Sequence, residues 1–446
     1  MTDYTKTYLE NRQKLIDAHA YDPRDESDAC GVGLIVALDG QPRREIVEKG
    51  VRALKAVYHR GAVDADGKTG DGAGIRVDVP QDFFKEQVAR TGHDPSRAPI
   101  CVGQIFLPRT DLSAQEAART IVEAEILKYG FYIYGWRQPP IDPSIIGQKA
   151  NDTRPEIEQV LFYDAQDRSR ADLERALYIC RRRIERRARE ATIPSFYVCS
   201  LSQRNLIYKG MFLAEDIDNF YPDLKDERFV SAVCIYHQRY STNTFPQWWL
   251  AQPFRMLAHN GEINTINGNI NWMKSHEIRM VSDNFGPYGE DVKPVIQQGS
   301  SDSAALDAAF ELLVRAGRKA TMAKTLLIPE AWSKRDGVMP KAHQGLYAYS
   351  NAVMEPWDGP AAVCAFDGRW AVAGLDRNGL RPLRYALTED RILAVGSEAG
   401  MCPLDSEGII KKGRVGPGGM IAVDVSEGKF YEHNEVIDAL AAQHPY

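Results

Sequence analysis

No run in this sequence approaches the ~18 consecutive apolar residues needed to cross a membrane. Met1 to Arg12 is polar and charged, without the apolar stretch of a secretory signal. A basic excess is missing too: 61 acids outnumber 55 bases, for a net charge of -6. Nucleic acid and anionic membrane surfaces are therefore poor partners for it, and a cytoplasmic location is expected. The seven cysteines stand at 30, 101, 180, 199, 234, 364 and 402, never closer than 19 residues. That spacing leaves no paired cysteines for zinc or an iron–sulfur cluster, so no metal is expected. Five of them (Cys101, Cys180, Cys199, Cys234, Cys364) sit in apolar runs and read as small core residues. No internal repeat is present.

What is there begins with Asp28-Ala29-Cys30-Gly31-Val32-Gly33, leading into Leu34-Ile35-Val36-Ala37-Leu38-Asp39-Gly40. An apolar run closed by a turn dipeptide predicts a buried strand ending in a tight turn. Cys30 heads that strand between two small residues. Residues 1–29 are rich in charge and poor in core-forming side chains, with a marginal helix over Tyr4 to His19; they read as a leader. A cysteine that opens a core strand after a polar leader is the layout of an enzyme cut to expose its own nucleophile.

Downstream, apolar spacing predicts helices over Val47–Val57, after a capping box Ser113-Ala114-Gln115-Glu116, and over Ala171–Ala191. The last would bury Leu173, Leu177, Cys180, Ile184 and Ala188, leaving Arg181, Arg182, Arg183 and Arg186 on a solvated face. Gly70-Asp71-Gly72-Ala73-Gly74 precedes a strand rather than a helix, so it reads as a tight turn and not a dinucleotide fingerprint. Ala361–Phe366 and Trp370–Gly374 form a hairpin across Asp367-Gly368. Strands and helices mix without strict βαβ alternation, which predicts a layered α+β fold.

An acyl-transfer enzyme needs a nucleophile, a base, an oxyanion pocket and a substrate clamp. Cys30 supplies a thiol, and cutting the Ala29–Cys30 bond would free an α-amine. Its reference pKa of ~7.7–8.0 suits a general base. Asn260-Gly261 offers two neutral donors to an oxyanion. Arg239 can grip a carboxylate at two points, and Asp302 can pair with an ammonium. Singly, each has a plainer explanation: a core thiol for Cys30, a surface ion pair for Arg239, a type I′ turn for Asn260-Gly261, a helix cap for Asp302. Residue patterns alone leave the two readings near balance.

Taken together, Cys30-Gly31, His59-Arg60-Gly61, Arg239-Tyr240-Ser241-Thr242, His259-Asn260-Gly261, Ser301-Asp302 and Arg377-Asn378-Gly379-Leu380-Arg381-Pro382 resemble the marks of the class II glutamine amidotransferases. Gly67 to Gly74, Phe245-Pro246-Gln247-Trp248 and Gly261-Glu262-Ile263-Asn264-Thr265 are similar to those of its glutamate synthase branch. The resemblance implies a four-layer αββα sandwich of the N-terminal-nucleophile hydrolase type, with a leader over 1–29, an amidotransferase domain over 30–430 and the start of a linker over 431–446. It implies Cys30, Asn260 and Gly261 as catalytic, and Arg239, Asp302 and Arg60 as substrate-binding. L-Glutamine would be hydrolysed to L-glutamate and ammonia, and the ammonia used to aminate 2-oxoglutarate. No cofactor is expected in this chain; FMN and an iron–sulfur cluster would sit in the full-length enzyme, whose partners include downstream flavin and synthase domains and a small electron-donating subunit. The alternatives are a phosphoribosyl-pyrophosphate-type amidotransferase and, if the leader stays, a non-catalytic glutamine-binding regulatory domain.

Overall fold

The structure is a computed structural model that describes residues 3–18, 30–240, 244–335, 337–404 and 408–446. The chain opens with α1 (Asp3–Asp17), β1 (Gly31–Ala37), α2 (Arg44–Ala56), β2 (Ala73–Val77) and α3 (Gln81–Arg90). Next come β3 (Ile100–Leu107), α4 (Leu112–Lys128), β4 (Phe131–Arg137), α5 (Gln148–Asp152), β5 (Glu156–Asp164), α6 (Arg170–Glu190) and β6 (Tyr197–Ser202). β7 (Leu206–Gly210), α7 (Ile217–Phe220), β8 (Val233–Gln238), β9 (Leu257–Gly261), α8 (Ile266–Arg279), α9 (Asp302–Arg315), α10 (Ala320–Leu327) and α11 (Lys341–Val353) follow. The chain continues through β10 (Ala361–Phe366), β11 (Trp370–Leu375), β12 (Arg384–Thr388), β13 (Ile392–Gly396), β14 (Ile409–Arg414), β15 (Met420–Asp424), β16 (Lys429–Tyr431) and α12 (His433–Ala441).

Two antiparallel sheets form the centre, one ordered β14-β12-β13-β1-β8-β2-β7 and the other β16-β15-β11-β10-β9. Strand alternation sorts their side chains. Val32, Leu34 and Val36 of β1 and Val233 and Ile235 of β8 meet Ala362, Cys364, Ala371 and Ala373 of the second sheet in one apolar layer. The opposite face of the first sheet, with Ile35, Ala37 and Ile75, packs on the Ile46, Val47 and Leu54 stripe of α2. The outer face of the second sheet, with Val363, Ala365 and Val372, packs on Leu306 and Phe310 of α9 and Leu326 of α10. The order helix, sheet, sheet, helix is the expected αββα sandwich. A third sheet, β4-β5-β3-β6, covered on one face by α4 and α6, is added to it.

Three local expectations are corrected. The cap of α4 is Asp111, whose side chain accepts from Ala114 N, so Ser113 lies inside the helix. Arg181 and Arg182 are not on a solvated face: both are buried, paired with Glu185, and Arg181 also with Glu311. Residues 431–446, expected to start a linker, carry α12, whose Val436, Ile437 and Leu440 are buried in the core. Of the expected leader, α1 is a helix, while 19–29 lie outside the described residues.

Candidate functional site

Cys30 is seated just before β1, the central strand of the larger sheet, and is 8% exposed. Gly31 pairs with Gln238 of β8, so Arg239 leaves the neighbouring strand beside Cys30. Arg239 takes φ 88, a left-handed conformation rare for a residue with a Cβ, and its N–H donates to Gly72 O at 2.7 Å. That bond ties it to the glycine turn before β2. Asp71, in the same turn, lies 3.4 Å from Arg239 Nε. The Cys30 thiol points toward Tyr240 O at 4.0 Å. Burial pushes the thiol up to about 12, against the pull of Arg239 and Arg381 and with a further push from Asp71 and Asp302. Four charges from four segments thus converge on one sulfur.

The second sheet brings the donors. Asn260 and Gly261 belong to β9 and pair with Ala362 and Ala361 of β10, which excludes the type I′ turn. Asn260 Nδ2 donates to Cys30 O at 2.7 Å across the two sheets. Gly261 has φ 147, and a Cβ there would fall 1.7 Å from Pro360 O, so the position requires glycine. Asp302 starts α9, but the helix cap is Ser301, which accepts from Ala304 N. Asp302 is 1% exposed; its Oδ2 accepts from Ile263 N at 2.9 Å and its Oδ1 from Ser303 N at 2.7 Å. It is therefore fastened to the segment that follows Gly261.

Arg60 is engaged differently. Its Nε donates to Glu398 Oε1 at 2.5 Å, and His59 Nε2 meets the same carboxylate at 3.0 Å. Among the described residues it makes no hydrogen bond or ion pair with Cys30, Arg239, Asn260 or Asp302. The site also contains groups that the sequence reading left without a role. Asp71 lay in a loop read as a turn. Arg381 follows Asp376, whose Oδ2 accepts from Asn378 N and Gly379 N and whose Oδ1 accepts from Ala361 N. Arg381 stands two residues beyond the Asp376-Arg377-Asn378-Gly379 turn, inside a stretch that carries the family resemblance without assigning it a task.

Several buried polar atoms here have no hydrogen-bond partner among the described residues: both Asp71 carboxylate oxygens, Gln238 Oε1, His259 Nε2 and Asn260 Oδ1. Such atoms are rare in folded interiors, and their gathering around Cys30 suits a polar ligand. His259 and His237 are neutral, because burial holds both imidazoles below their usual range, His237 at about 3. The arrangement offers a thiol, two neutral donors, guanidinium groups and carboxyl groups around the head of β1.

Residues 30–446 match the family of class II glutamine amidotransferases. The large chain of NADPH glutamate synthase from Azospirillum brasilense is 58% identical over 443 residues, which cover 99% of this chain and 29% of that one. Ferredoxin-dependent chloroplastic glutamate synthase from Spinacia oleracea is 44% identical over 425 residues, covering 94% and 26%. The NADPH glutamate synthase large chain of Bacillus subtilis is 39% identical over 427 residues, covering 96% and 28%. The chain spans between a quarter and a third of the length of these relatives. By the match from Cys30 onward, this chain belongs to the class II glutamine amidotransferases.

Proposed function

We propose that this chain is the glutaminase portion of a glutamate synthase, acting once the Ala29–Cys30 bond is cut. The observation that carries the reading is the placement of Asn260, Arg239 and Asp302 around Cys30, the residue at which the family match begins. Arg239 grips the α-carboxylate of L-glutamine through its planar fork, and Asp302 pairs with the α-ammonium. The freed α-amine of Cys30 takes the thiol proton, and sulfur attacks the side-chain carboxamide carbon. Asn260 Nδ2 and Gly261 N–H stabilise the oxyanion. The proton passes to the leaving nitrogen, ammonia departs, and a thioester remains. Water, deprotonated by the same amine, attacks the thioester carbon; L-glutamate leaves and the thiol is restored.

The amine is needed because a thiol pushed to about 12 is protonated at neutral pH and the peptide nitrogen of an uncut chain is no base. In this reading the ammonia goes on to the reductive amination of 2-oxoglutarate in the rest of the enzyme, serving glutamate biosynthesis and ammonia assimilation in the cytoplasm. Glu398 orients Arg60 as an outer part of the glutamine pocket. Among the described residues no three His, Cys, Asp or Glu side chains gather to hold a metal ion. In this reading FMN, an iron–sulfur cluster and an electron-donating partner belong to other portions of the enzyme. No helix among the described residues is long and apolar enough to cross a membrane.

The test compares the intact chain with one beginning at Cys30, each with its N-terminus established by mass. The trimmed form is expected to release ammonia from glutamine, and the intact form to be nearly inert. Equal activity in the two forms would sink the N-terminal-amine mechanism, and binding without hydrolysis in both would leave a glutamine-sensing domain.

A further inference from the structure

The strand that carries Asn260 and Gly261 is the last in its sheet among the described residues: β9 pairs with β10 on one side and with no described strand on the other. An edge strand presents every second residue's N–H and C=O outward. On β9 Leu257 O accepts from the backbone N–H of Phe254 at 2.9 Å, and the other outward groups before Gly261 are met by side chains. Asp307 Oδ1 accepts from Leu257 N at 3.0 Å. Two residues on, Gln252 pairs with the His259 peptide groups as a strand would: His259 N donates to Gln252 Oε1 at 2.8 Å, and Gln252 Nε2 donates to His259 O at 3.0 Å. The next outward position by this alternation is Gly261, whose N–H is the oxyanion donor in the proposed mechanism. Beyond it, Asp302 Oδ2 takes Ile263 N.

Gln252 is 1% exposed, and its carboxamide is engaged on both sides by the residue just before Asn260. His237 Nε2, 3.0 Å from the same His259 carbonyl, adds a second donor. The imidazole is neutral, so Nε2 carries the proton that this bond requires. We propose that Gln252 is a positioning residue for the oxyanion pocket: its side-chain amide substitutes for a missing strand and fixes the edge on which the Asn260 side chain and the Gly261 N–H are presented to Cys30. The reason for using a side chain follows from the geometry. A real strand at this edge would cover Gly261 N–H, whereas one amide supports position 259 and leaves position 261 to the substrate. The inference rests on the oxyanion role given to Asn260 and Gly261.

The experiment uses the chain beginning at Cys30, with competent sites counted by covalent titration with a diazoketone analogue of glutamine. Gln252→Glu removes the donor to His259 O while keeping an acceptor, and Gln252→Met removes both while filling the space. Each is expected to lower kcat per titrated site by roughly ten- to a hundredfold, because a small displacement of oxyanion donors is costly. KM should stay within a few-fold, since Arg239 and Asp302 hold the other end of glutamine. Asp307→Asn, which alters the same edge away from Asn260, should lower Tm and leave kcat per site within about twofold. A Gln252 variant with parent kcat per titrated site, or with kcat and KM falling in step as Asp307→Asn loses the same activity, overturns the positioning role. An inactive trimmed parent instead overturns the glutaminase reading, and this inference with it.

Discussion

Asn260 Nδ2 lies 2.7 Å from the carbonyl oxygen of Cys30, joining the two sheets of the sandwich at the point where the nucleophile begins. The bond fixes the carboxamide while its Oδ1 stays buried without a hydrogen-bond partner among the described residues. Asn260→Asp tests this arrangement. Because Asn260 is in β9, the change has no turn to preserve; it places a carboxylate against Cys30 O and against the developing oxyanion. Loss of one oxyanion donor costs ~10²–10³ in kcat, and the added repulsion should push the trimmed variant to the far end of that range, with a smaller rise in KM. A folded variant keeping kcat within a few-fold would remove Asn260 from the oxyanion pocket.

The clamp predicts the opposite split. Arg239→Lys keeps the charge but loses the planar fork, and Asp302→Asn loses the ammonium partner along with the charge that faces it. Each should lower kcat/KM for glutamine by roughly ten- to a hundredfold, in line with the ~1.5–3 kcal/mol of a hydrogen bond to a charged group. Most of the loss should appear in KM. Steady-state kinetics on the trimmed protein decides it: unchanged KM in both would place the substrate's amino-acid end elsewhere.

Much of the sandwich was legible because its elements are local. The apolar run after Gly31 is β1, the Asp367-Gly368 turn closes β10 and β11, and the buried stripe of α6 runs through Leu173, Leu177 and Ile184. What escaped depended on partners distant in sequence. Arg181 reads as surface until Glu311, 130 residues on, reaches its guanidinium. Asn260-Gly261, which residue patterns leave balanced between a turn and a pair of oxyanion donors, loses the turn reading only when β10 pairs with it. Asp71 gains meaning only beside Arg239, and Gln252 only against His259. Cys30 and the clamp residues were proposed from motifs, whereas the Glu398 pairing of Arg60 needed the fold.

The buried charge network yields a stability prediction independent of glutamine chemistry. Glu185 accepts from Arg181, Arg182 and Arg255. Burial alone would raise its pKa, but Arg181, Arg255 and Arg182 overrule it and hold it at about 2, below the ordinary 4.5. The lowered value means stability present above about 4.5 and lost as pH falls toward about 2. Glu185→Gln should cost ~3–5 kcal/mol at neutral pH, because it leaves buried guanidiniums unpaired. It should also flatten the acid limb of a Tm–pH curve. A Tm within a degree or two of the parent at pH 7 would show the network to be dispensable.

Asp71 should act in the reverse sense. Burial pushes its carboxyl from 3.8 up to about 7 despite the Arg239 guanidinium 3.4 Å away. In the unfolded chain the group ionises near 3.8; in the folded protein it holds its proton until about 7. Over that window the unfolded state loses its proton first, so the contribution of Asp71 to stability falls as pH rises and levels off above about 7. Asp71→Asn, which stays neutral throughout, is therefore expected to gain Tm relative to the parent progressively between pH 4 and 7, with no further gain above pH 8. Comparing the two proteins at each pH cancels the other titrating groups. The same variant removes the carboxylate beside the clamp, so KM for glutamine should lose any dependence on pH that arises from Asp71 ionising near neutrality. A Tm difference that stays flat from pH 4 to 8 would mean that the Asp71 carboxyl ionises in the ordinary range and that its burial beside Arg239 is relieved in solution.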